Sequence, residues 1–483
     1  MYILAIDQGT TGTRSILFDQ KGKIVKSVYK EFTQYYPKPG WVEHDPLEIW
    51  QTVVTTVEEL CADYKGKIIG IGITNQRETT VVWDKTSGKP VYNAIVWQCR
   101  RTAPLCEKLK KHQSRFKSKT GLPVDAYFSG TKIRWILDQL DDYPSGQLLF
   151  GTIDTWLIWN LTKGKVHATD YTNASRTLLY NILEKSWDKE LAKLIGVPLT
   201  MLPEVKRSMD DYGTVESIKC IQGVPILGVA GDQQAALFGQ GCITRGSVKN
   251  TYGTGCFAMM NTGQSFLLSE AGLLTTLAVD KSGNPCYAME GSIFIGGAVI
   301  QWLRDELKLI KNAAESETAA RRVDNNNGVY IVPAFVGLGA PHWDMDARGI
   351  ITGLTRGANR DHIIRAALES IAFQSYDVLA MMAEETGIYF RNLVVDGGAV
   401  MNNFLMQFQA DILGKPVLRP KITESTSAGA AYLAGLQAGF WGSIDELKVL
   451  KEYDKTFFPK MNSKDRNNYI QGWQKALRQA KQK

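Results

Sequence analysis

The sequence predicts an α/β protein made of two similar domains, each a mixed sheet flanked by helices. The chain has 483 residues, more than one ordinary hydrophobic core accommodates, so two large domains are expected. Two apolar runs joined by a turn of glycine and threonine open the chain at 2–19, and the same order recurs loosely at 248–257. The recurrence predicts a boundary near residue 245, with a first domain over 1–245 and a second domain over 246–483 that face one another.

Composition and charge are those of an ordinary globular protein. Hydrophobic residues make up 44% and charged residues 22% of the chain, which excludes a disordered protein. The net charge is +7, and the basic residues are scattered except for a mildly basic stretch near the C-terminus. A solvated helical face explains that stretch better than a nucleic-acid patch, so we expect no nucleic-acid partner. A mildly positive surface favours an anionic ligand such as a nucleotide.

The cysteines and the N-terminus indicate a cytoplasmic protein. The seven cysteines include no C-x-x-C pair and no histidine partner at zinc spacing, so we expect buried thiols in a reducing compartment. The N-terminus has no basic leader and reaches Asp7 after six residues, which argues against a signal peptide. A helix of small residues at 428–439 is too short to span a bilayer, and we expect no membrane span.

Polar residues follow two buried strands in the first half. After a helix predicted at about 46–60, the apolar strand 68–73 leads to the polar run 75–78. The strand 226–230 runs in the same way into the polar segment 231–234. Because open α/β sheets place ligand groups at the carboxyl ends of their strands, both segments are candidates for a binding site.

The second half continues with helices around another buried strand. An amphipathic helix is predicted at about 361–386, and Gly387 ends it. The strand 393–395 follows, then a turn at 396–398 and a helix at about 402–413. These elements flank the second predicted sheet.

The opening turn, 7–14, has the chemistry of a phosphate-binding loop. It places Asp7 at a strand end, followed by glycines and threonines whose N–H and O–H groups approach phosphate oxygens closely. One such turn is more often a plain hairpin, but a second, at 251–255, opens the other half in the same way. Neither a G-x-x-x-x-G-K-S/T loop nor a complete G-x-G-x-x-G fingerprint is present. The remaining scheme is the actin-like ATPase (ribonuclease H-like) fold, whose active site lies in the interdomain cleft.

Eight segments of the chain resemble carbohydrate kinases with this fold, and among them glycerol kinases. The segments follow one another in the expected order between residue 2 and about residue 441. A single borrowed motif does not produce such an ordered series. The segments are 7–11, 37–46, 72–80, 97–102, 127–132, 231–238, 249–255 and 396–400.

The resemblance implies ATP-dependent phosphorylation of glycerol to sn-glycerol 3-phosphate, with ATP and Mg²⁺ as cofactors and a homodimeric assembly. It implies that Asp232 is the general base and that Asp7 holds Mg²⁺, directly or through water. The substrate-binding residues that it implies are Arg77, Glu78, Trp97, Tyr127, Asp232, Gln233 and Phe257. The ATP-binding residues that it implies are Thr10, Thr11, Gly12, Arg14, Thr254, Gly297, Gln301, Gly398 and Asn402.

Four of these residues are candidates on physical grounds as well. One is Gly398, because only a residue without a Cβ lets the backbone lie against a flat base or sugar. Asp232 follows a buried strand, which can hold a carboxylate rigidly within hydrogen-bond reach of an alcohol, although such an aspartate can also cap a helix. Arg77 and Glu78 together offer a donor and an acceptor to adjacent hydroxyls. Neighbouring arginine and glutamate are usually an exposed ion pair, but these two follow an apolar strand directly.

Two segments, with three positions between them, depart from the pattern of the glycerol kinases that the chain resembles. Gly12 and Thr13 stand where those kinases usually have two serines, which removes one hydroxyl near the phosphates. Ala126 stands in place of a proline, which loosens the segment that orients Tyr127. Both departures affect affinity more than the reaction itself.

Two rival functions fit parts of the pattern. A kinase for a pentulose or for gluconate shares the fold, and the segment 75–80 argues against it. An actin-like filament subunit or a chaperone ATPase also binds nucleotide between two such domains. Neither requires a polyol pocket that combines Arg77, Glu78 and Asp232.

Overall fold

The structure is a computed structural model that describes residues 1–62, 67–140, 146–344 and 346–481. The other residues of the two predicted domains, 63–66, 141–145, 345 and 482–483, lie outside the described part of the chain. The strands, in chain order, are β1 (Tyr2–Gln8), β2 (Gly12–Phe18), β3 (Ile24–Glu31), β4 (Glu43–His44), β5 (Ile68–Asn75), β6 (Val81–Asp84), β7 (Ala94–Ile95), β8 (Leu148–Gly151), β9 (Ala168–Asp170), β10 (Tyr180–Asn181), β11 (Ser186–Trp187), β12 (Glu204–Lys206), β13 (Ile226–Gly231), β14 (Val248–Tyr252), β15 (Cys256–Gly263), β16 (Leu274–Val279), β17 (Pro285–Ile293), β18 (Tyr330–Val332), β19 (Ile350–Thr352), β20 (Leu393–Asp396), β21 (Val417–Pro420) and β22 (Tyr453–Phe457).

The α-helices alternate with these strands and cover the sheets. In chain order they are α1 (Pro46–Ala62), α2 (Ala103–Leu109), α3 (Gln113–Thr120), α4 (Ser129–Leu137), α5 (Ile153–Leu161), α6 (Tyr171–Ala174), α7 (Lys189–Ile195), α8 (Asp232–Gly239), α9 (Ala298–Asp305), α10 (Glu315–Arg321), α11 (Arg360–Thr386), α12 (Asn403–Leu413), α13 (Ser425–Gln437), α14 (Ile444–Leu450) and α15 (Ser463–Lys481). In the described part of the chain, none of the helices has the length and apolar character needed to cross a membrane.

The first sheet brings three strand ends together. Its strand order is β13-β5-β1-β2-β3, with β1 and β2 antiparallel and with β5 parallel to both β1 and β13. In this register Asp7 pairs with Thr74, and Gly231 pairs with Asn75. The carboxyl ends of β1, β5 and β13 are therefore neighbours, and the polar residues that follow these strands lie at one edge of the sheet.

The second sheet repeats this arrangement. Its strand order is β16-β17-β15-β14-β20-β21-β22, with β14 and β15 antiparallel and with β14 parallel to β20. The β14–β15 hairpin beside β20 corresponds to the β1–β2 hairpin beside β5. Each sheet is mixed and flanked by helices, so the predicted α/β fold with two similar domains is confirmed.

Helix α13 belongs to the second half of the sequence but packs on the first sheet, against β1, β5 and β13. A Cβ at Gly72 would lie 2.1 Å from the carbonyl oxygen of Ala430, and a Cβ at Gly228 would lie 2.5 Å from the backbone nitrogen of Ala434. The glycines and alanines of both elements thus allow backbone contact between helix and strands. The close packing explains the small residues of this helix, and the boundary near residue 245 stays a prediction.

The predicted elements lie within a few residues of those in the structure. The long helix predicted at 361–386 is α11, which begins after Asn359 in a capping box and ends at Gly387 with φ 64°. The strand predicted at 68–73 extends two residues further as β5, to Asn75. Apolar spacing and Gly387 were therefore sufficient to predict α11 to within one residue, whereas the polar end of β5 was not predicted as strand.

Candidate active site

Four buried side chains of opposite charge form an ion cluster, namely Arg77, Glu78, Arg176 and Glu290. Arg77 Nη1 lies 2.6 Å from Glu290 Oε2, and its Nη2 donates to Glu290 Oε1 at 3.1 Å. Arg176 Nε lies 2.6 Å from Glu78 Oε1, and its Nη2 lies 3.1 Å from Glu290 Oε1. Each side chain is at most 2% exposed, so the two positive and two negative charges neutralise one another inside the protein.

The two carboxyl groups of this ion cluster have pKa values shifted in opposite directions. Burial alone would raise the pKa of Glu290, but Arg176 and Arg77 outweigh burial and hold that pKa at about 2. Burial dominates at Glu78 and raises its pKa, because Arg176 and Arg77 oppose it only in part. Glu290 is therefore ionised at neutral pH. A further hydrogen-bond donor would stabilise the carboxylate of Glu78 more than that of Glu290.

The backbone of Glu78 adopts an unusual conformation directly after β5. Its φ is 60°, in the left-handed region that side chains other than glycine rarely adopt. Ser129 Oγ donates to the carbonyl oxygen of Glu78 at 3.0 Å, and Lys132 Nζ donates to it at 3.2 Å. These bonds from α4 hold the strained residue, and such strain is typical of binding sites.

Asp232 lies beside the ion cluster at the start of α8. Arg77 Nε lies 3.1 Å from Asp232 Oδ1, and the backbone N–H of Gln233 donates to the same oxygen at 2.7 Å. Among the described residues, none donates a hydrogen bond to the other carboxylate oxygen, Oδ2. The Asp232 side chain is 33% exposed whereas that of Arg77 is 2% exposed. The carboxylate is therefore held by one oxygen and accessible through the other.

Two aromatic rings form a wall next to the cluster. The rings of Trp97 and Tyr127 meet edge to face with their centroids 5.6 Å apart, and Trp97 Nε1 donates to Thr10 Oγ1 at 2.9 Å. Position 126, an alanine, is fully buried. The backbone N–H of Tyr127 donates to Asp125 Oδ1 at 2.8 Å, which fixes the segment that carries the ring. This bond orients Tyr127 without the proline expected at Ala126.

The two other predicted substrate residues, Gln233 and Phe257, lie where the two halves of the chain meet. Lys249 Nζ of β14 donates to Gln233 Oε1 of α8. Phe257 of β15 pairs with Ser292 of β17, and Glu290 stands two residues earlier on the same strand. Because residues two apart in a strand share a face, Phe257 and Glu290 lie on the same side of the second sheet.

A cavity of about 480 Å³ lies in the second half of the chain, between the β14–β15 turn and helices α9, α10, α11 and α12. Five residues predicted to bind ATP line it, namely Thr254, Gly297, Gln301, Gly398 and Asn402. Asn402 Nδ2 donates to Ser316 Oγ at 3.2 Å, and the N–H of Asn403 donates to Glu317 Oε2 at 2.8 Å. Ser316 and Glu317 also line the cavity, although no sequence pattern distinguishes them.

The adjacent glycines 397 and 398 serve different purposes in the wall of this cavity. Gly397 has φ 89°, and a Cβ there would lie 2.5 Å from the carbonyl oxygen of Tyr252, so only glycine fits. A Cβ on Gly398 would meet no atom within 4 Å. The backbone of Gly398 therefore faces open space, where a flat base or a sugar can lie against it.

The other predicted phosphate residues lie on the β1–β2 turn. The N–H of Gly9 donates to the carbonyl oxygen of Gly12 at 2.9 Å and closes the turn. Thr11 is exposed at its tip. Arg14 forms an ion pair with Glu424, just before α13. The turn thus presents hydroxyl groups, backbone N–H groups and one arginine.

Asp7, at the end of β1, is a suitable ligand for a divalent cation. Burial raises its pKa to about 6, and the negative charges of Glu424 and Asp232 add to that rise, while the hydroxyl of Ser427, which donates at 2.7 Å, opposes it. The described residues contain no group of three or more histidine, cysteine or acidic side chains arranged to hold a metal. Mg²⁺ in nucleotide sites commonly uses one or two carboxylates with phosphate oxygens and water, so Asp7 alone fits that demand.

Sequence reasoning missed Arg176, Glu290 and Lys249. Glu290 and Lys249 are both fully buried, Glu290 inside the largely apolar strand β17 and Lys249 inside the more polar strand β14. A lone charge within an apolar strand requires a partner, and this signal was available in the sequence for Glu290. Arg176 follows α6 within a polar run, where no local pattern distinguishes it from a surface residue.

Comparison with known proteins identifies the class to which this fold and site belong. Residues 2–239 match the N-terminal domain of the FGGY family of carbohydrate kinases, and residues 248–438 match the C-terminal domain of that family. The chain therefore belongs to the FGGY family of carbohydrate kinases. The resemblance to carbohydrate kinases expected from the sequence is confirmed.

Within this family the chain is similar to glycerol kinases. It is 60% identical to the glycerol kinase of Caldanaerobacter subterraneus subsp. tengcongensis over an alignment of 490 residues, which covers 99% of this chain and 98% of the relative. It is 58% identical to the glycerol kinase of Alkaliphilus oremlandii, with 99% and 97% covered. A crystal structure of the Plasmodium falciparum glycerol kinase with ADP matches with a TM-score of 0.93 and 39% identity, and covers 100% of this chain and 98% of that one.

Proposed function

We propose that this protein transfers the terminal phosphoryl group of ATP to glycerol and forms sn-glycerol 3-phosphate and ADP, the first step of glycerol utilisation. The observation that carries the proposal is the contact between the partly exposed Asp232 and the buried Arg77 of the ion cluster. This contact joins a base to a polyol-binding pair. Similarity to glycerol kinases over the whole chain supports the choice of glycerol.

Glycerol binds against the ion cluster. Arg77 donates to one hydroxyl and Glu78 accepts from its neighbour, and both side chains are held by Arg176 and Glu290. Trp97, Tyr127 and Phe257 enclose the carbon skeleton, and Gln233 lies beside the base. The rigid ion cluster means that glycerol meets groups already in position, which lowers the entropic cost of binding.

Asp232 acts as the general base. The accessible carboxylate oxygen accepts the proton of the reacting hydroxyl, while Arg77 and the N–H of Gln233 hold the other oxygen. The glycerol oxygen bonds to the terminal phosphorus as the bond from that phosphorus to the oxygen of the leaving ADP breaks. Phosphoryl transfer requires chiefly alignment and charge neutralisation, so a well-held base and closely placed donors suffice.

The nucleotide binds across the two hairpin turns. Adenine and ribose lie in the cavity lined by Gly297, Gln301, Gly398 and Asn402, and the phosphates lie between Thr254 and the β1–β2 residues Thr10, Thr11, Gly12 and Arg14. Asp7 would hold Mg²⁺, which when bound neutralises phosphate charge. Arg14 and the backbone N–H groups of the turns orient the terminal phosphate.

We further propose that the protein acts in the cytoplasm as a homodimer, with the polyol and the phosphates bound by residues 1–245 and the rest of the nucleotide bound by residues 246–483. The seven cysteines are free thiols and most are buried, which is in keeping with a reducing compartment. The dimer rests on the resemblance to glycerol kinases. The assignment of polyol and nucleotide binding to different domains rests on two positions, that of the ion cluster near β5 and that of the cavity near α9 and α12.

A comparison of acceptors tests the proposed reaction. The purified protein is supplied with ATP, Mg²⁺ and one polyol at a time, and ADP release is measured with glycerol, D-xylulose, D-gluconate and no acceptor. We expect release that depends on glycerol and is at least tenfold faster than with the other two acceptors. Release with D-xylulose or D-gluconate alone would assign a sugar kinase, and release without any acceptor would assign an ATPase.

A further inference from the structure

We propose that Tyr29 of β3 is a further phosphate-binding residue, and that its hydroxyl occupies the space left by the missing side chain of Gly12 and donates to the terminal phosphate of ATP. The proposal rests on the proposed function, because it concerns the nucleotide of that same site. It assigns a binding role to a strand outside the two hairpin turns that the resemblance identified.

The register of the first sheet directs Tyr29 towards the phosphate turn. Arg14 of β2 pairs directly with Tyr29 of β3, and Gly12 stands two residues from Arg14 on the same strand. Residues two apart in a strand share a face, and an aromatic ring reaches its diagonal neighbour across a pair of strands. The phenol therefore lies over Gly12 and points to the tip of the β1–β2 hairpin.

The space beside Gly12 is occupied by this phenol. A Cβ at position 12 would lie 2.6 Å from both Cζ and Oη of Tyr29, and 2.6 Å from the carbonyl oxygen of Lys30. A side chain at position 12 and the ring of Tyr29 cannot occupy these positions together. The hydroxyl that a serine would supply in this turn is thus replaced by one that arrives from the next strand.

Besides Gly12, Tyr29 contacts two other residues that are proposed to bind phosphate, Thr11 and Arg14. Its Oη lies 3.3 Å from Thr11 Oγ1, and the guanidinium carbon of Arg14 lies 5.3 Å from the centre of its ring. Tyr29 is 41% exposed and its hydrogen bond with Thr11 lies at the surface, where a ligand can reach it. A tyrosine that only covered the edge of the sheet would not place its hydroxyl among these groups.

The terminal phosphate is the one that this turn meets. Thr10 accepts a hydrogen bond from Trp97, and Trp97 packs on Tyr127 in the proposed glycerol site. The turn therefore borders the acceptor, whereas the cavity for adenine and ribose lies in the other half of the chain. The phosphates of ATP lie between these two regions. The terminal phosphate, which is the one transferred, lies nearest the acceptor.

Titration calorimetry of Tyr29→Phe tests the assignment without turnover. ATP and ADP are titrated separately into wild type and variant in the presence of Mg²⁺ and the absence of glycerol. We expect ATP affinity to fall about tenfold or more, as on loss of a hydrogen bond to a charged group, and ADP affinity to remain unchanged. In turnover assays the KM for ATP should rise while the KM for glycerol stays constant.

Tyr389→Phe is the matched control, because Tyr389 is 78% exposed between α11 and β20. It should bind both nucleotides as the wild type does. Unchanged ATP affinity in Tyr29→Phe would overturn the proposal, and so would an equal loss of ATP and ADP affinity, which indicates a role in the shape of the turn. If the wild type binds ATP but shows no glycerol-dependent turnover, the proposed function is wrong. The titration would still test the role of Tyr29 in that case.

Discussion

Glu290 is the residue on which the ion cluster depends, because both arginines donate to its carboxylate. Arg77 and Arg176 each lie within 3.1 Å of Glu290 Oε1, and all three side chains are buried. Without this anion two guanidinium groups would face one another in a region of low dielectric. The position of Arg77, and with it the position of Asp232, therefore follows from a residue on a strand of the second sheet.

Glu290→Gln should destabilise the protein and weaken glycerol binding. The amide removes one negative charge and leaves a buried positive charge uncompensated, which costs about 3–5 kcal/mol. Urea unfolding measures the loss, and the KM for glycerol should rise more than the KM for ATP. Glu270→Gln is the control, because the Glu270 side chain is 92% exposed. The free energy of unfolding of this variant should differ from that of the wild type by less than about 0.5 kcal/mol. Equal stability of the two variants would show that the ion cluster does not hold the site.

From the residues themselves, apart from the resemblance to glycerol kinases, the sequence indicated chiefly those site residues that follow a strand. Asp232 and Arg77 come directly after apolar runs, and this position along the chain is enough to indicate a ligand site. Arg176 and Glu290 were not predicted, because their partners lie 98 or more residues away and pairing at that distance leaves no local pattern. Glu290 is the partial exception, since a charge within an apolar strand already requires a partner.

At the scale of elements, the short strand β4 carries a histidine that makes stability depend on pH. His44 is fully buried, and its Nε2 lies 2.7 Å from Gln34 Oε1. Burial lowers the pKa of His44 from 6.5 to about 4. Between these values the folded state binds fewer protons at His44 than the unfolded state does, so the contribution of His44 to stability is complete above pH 6.5 and is lost as the pH falls towards 4.

His44→Gln should reduce the pH dependence of stability, and His167, whose pKa burial also lowers to about 4, should keep its own part of it. Glutamine can keep a hydrogen bond to Gln34 but takes up no proton. Protonation of His44 lowers the free energy of unfolding by about 3 kcal/mol between pH 6.5 and 4, and the variant should not show this decrease. Urea midpoints at pH 4.5 and pH 7 measure the difference. His112→Gln, at a partly exposed position before α3, should retain the slope of the wild type. A slope in His44→Gln as steep as that of wild type would exclude His44 as its source.

The elements themselves were largely predictable, and their partners were not. Amphipathic spacing and Gly387 predicted α11, and continuous apolar runs predicted β1, β5 and β13. The composition of α13 indicated close packing but not the surface against which it packs. Backbone contact with Gly72 and Gly228 of the first sheet depends on the complementary small residues of two distant segments.

At the scale of the whole molecule, side chains from the two halves meet at the strand ends of the first sheet. Asp7 accepts from Ser427, Arg77 pairs with Glu290, and Lys249 donates to Gln233. Arg77 and Gln233, which lie on either side of the proposed base Asp232, are therefore held by residues of the second sheet. We expect the cleft between the two sheets to close on its substrates and to exclude water, which would protect the phosphoryl group from hydrolysis.

Asp232→Asn tests most directly whether a carboxylate held by Arg77 takes the proton of the alcohol. The amide keeps the shape of the side chain but is a poor base, so the rate of a single turnover with saturating ATP and glycerol should fall about 10²- to 10⁴-fold. Circular dichroism and ATP affinity should match those of the wild type. Rapid-quench measurement of ADP formation gives the rate, and a variant that turns over as fast as the wild type would contradict the role of Asp232 and the site built around it.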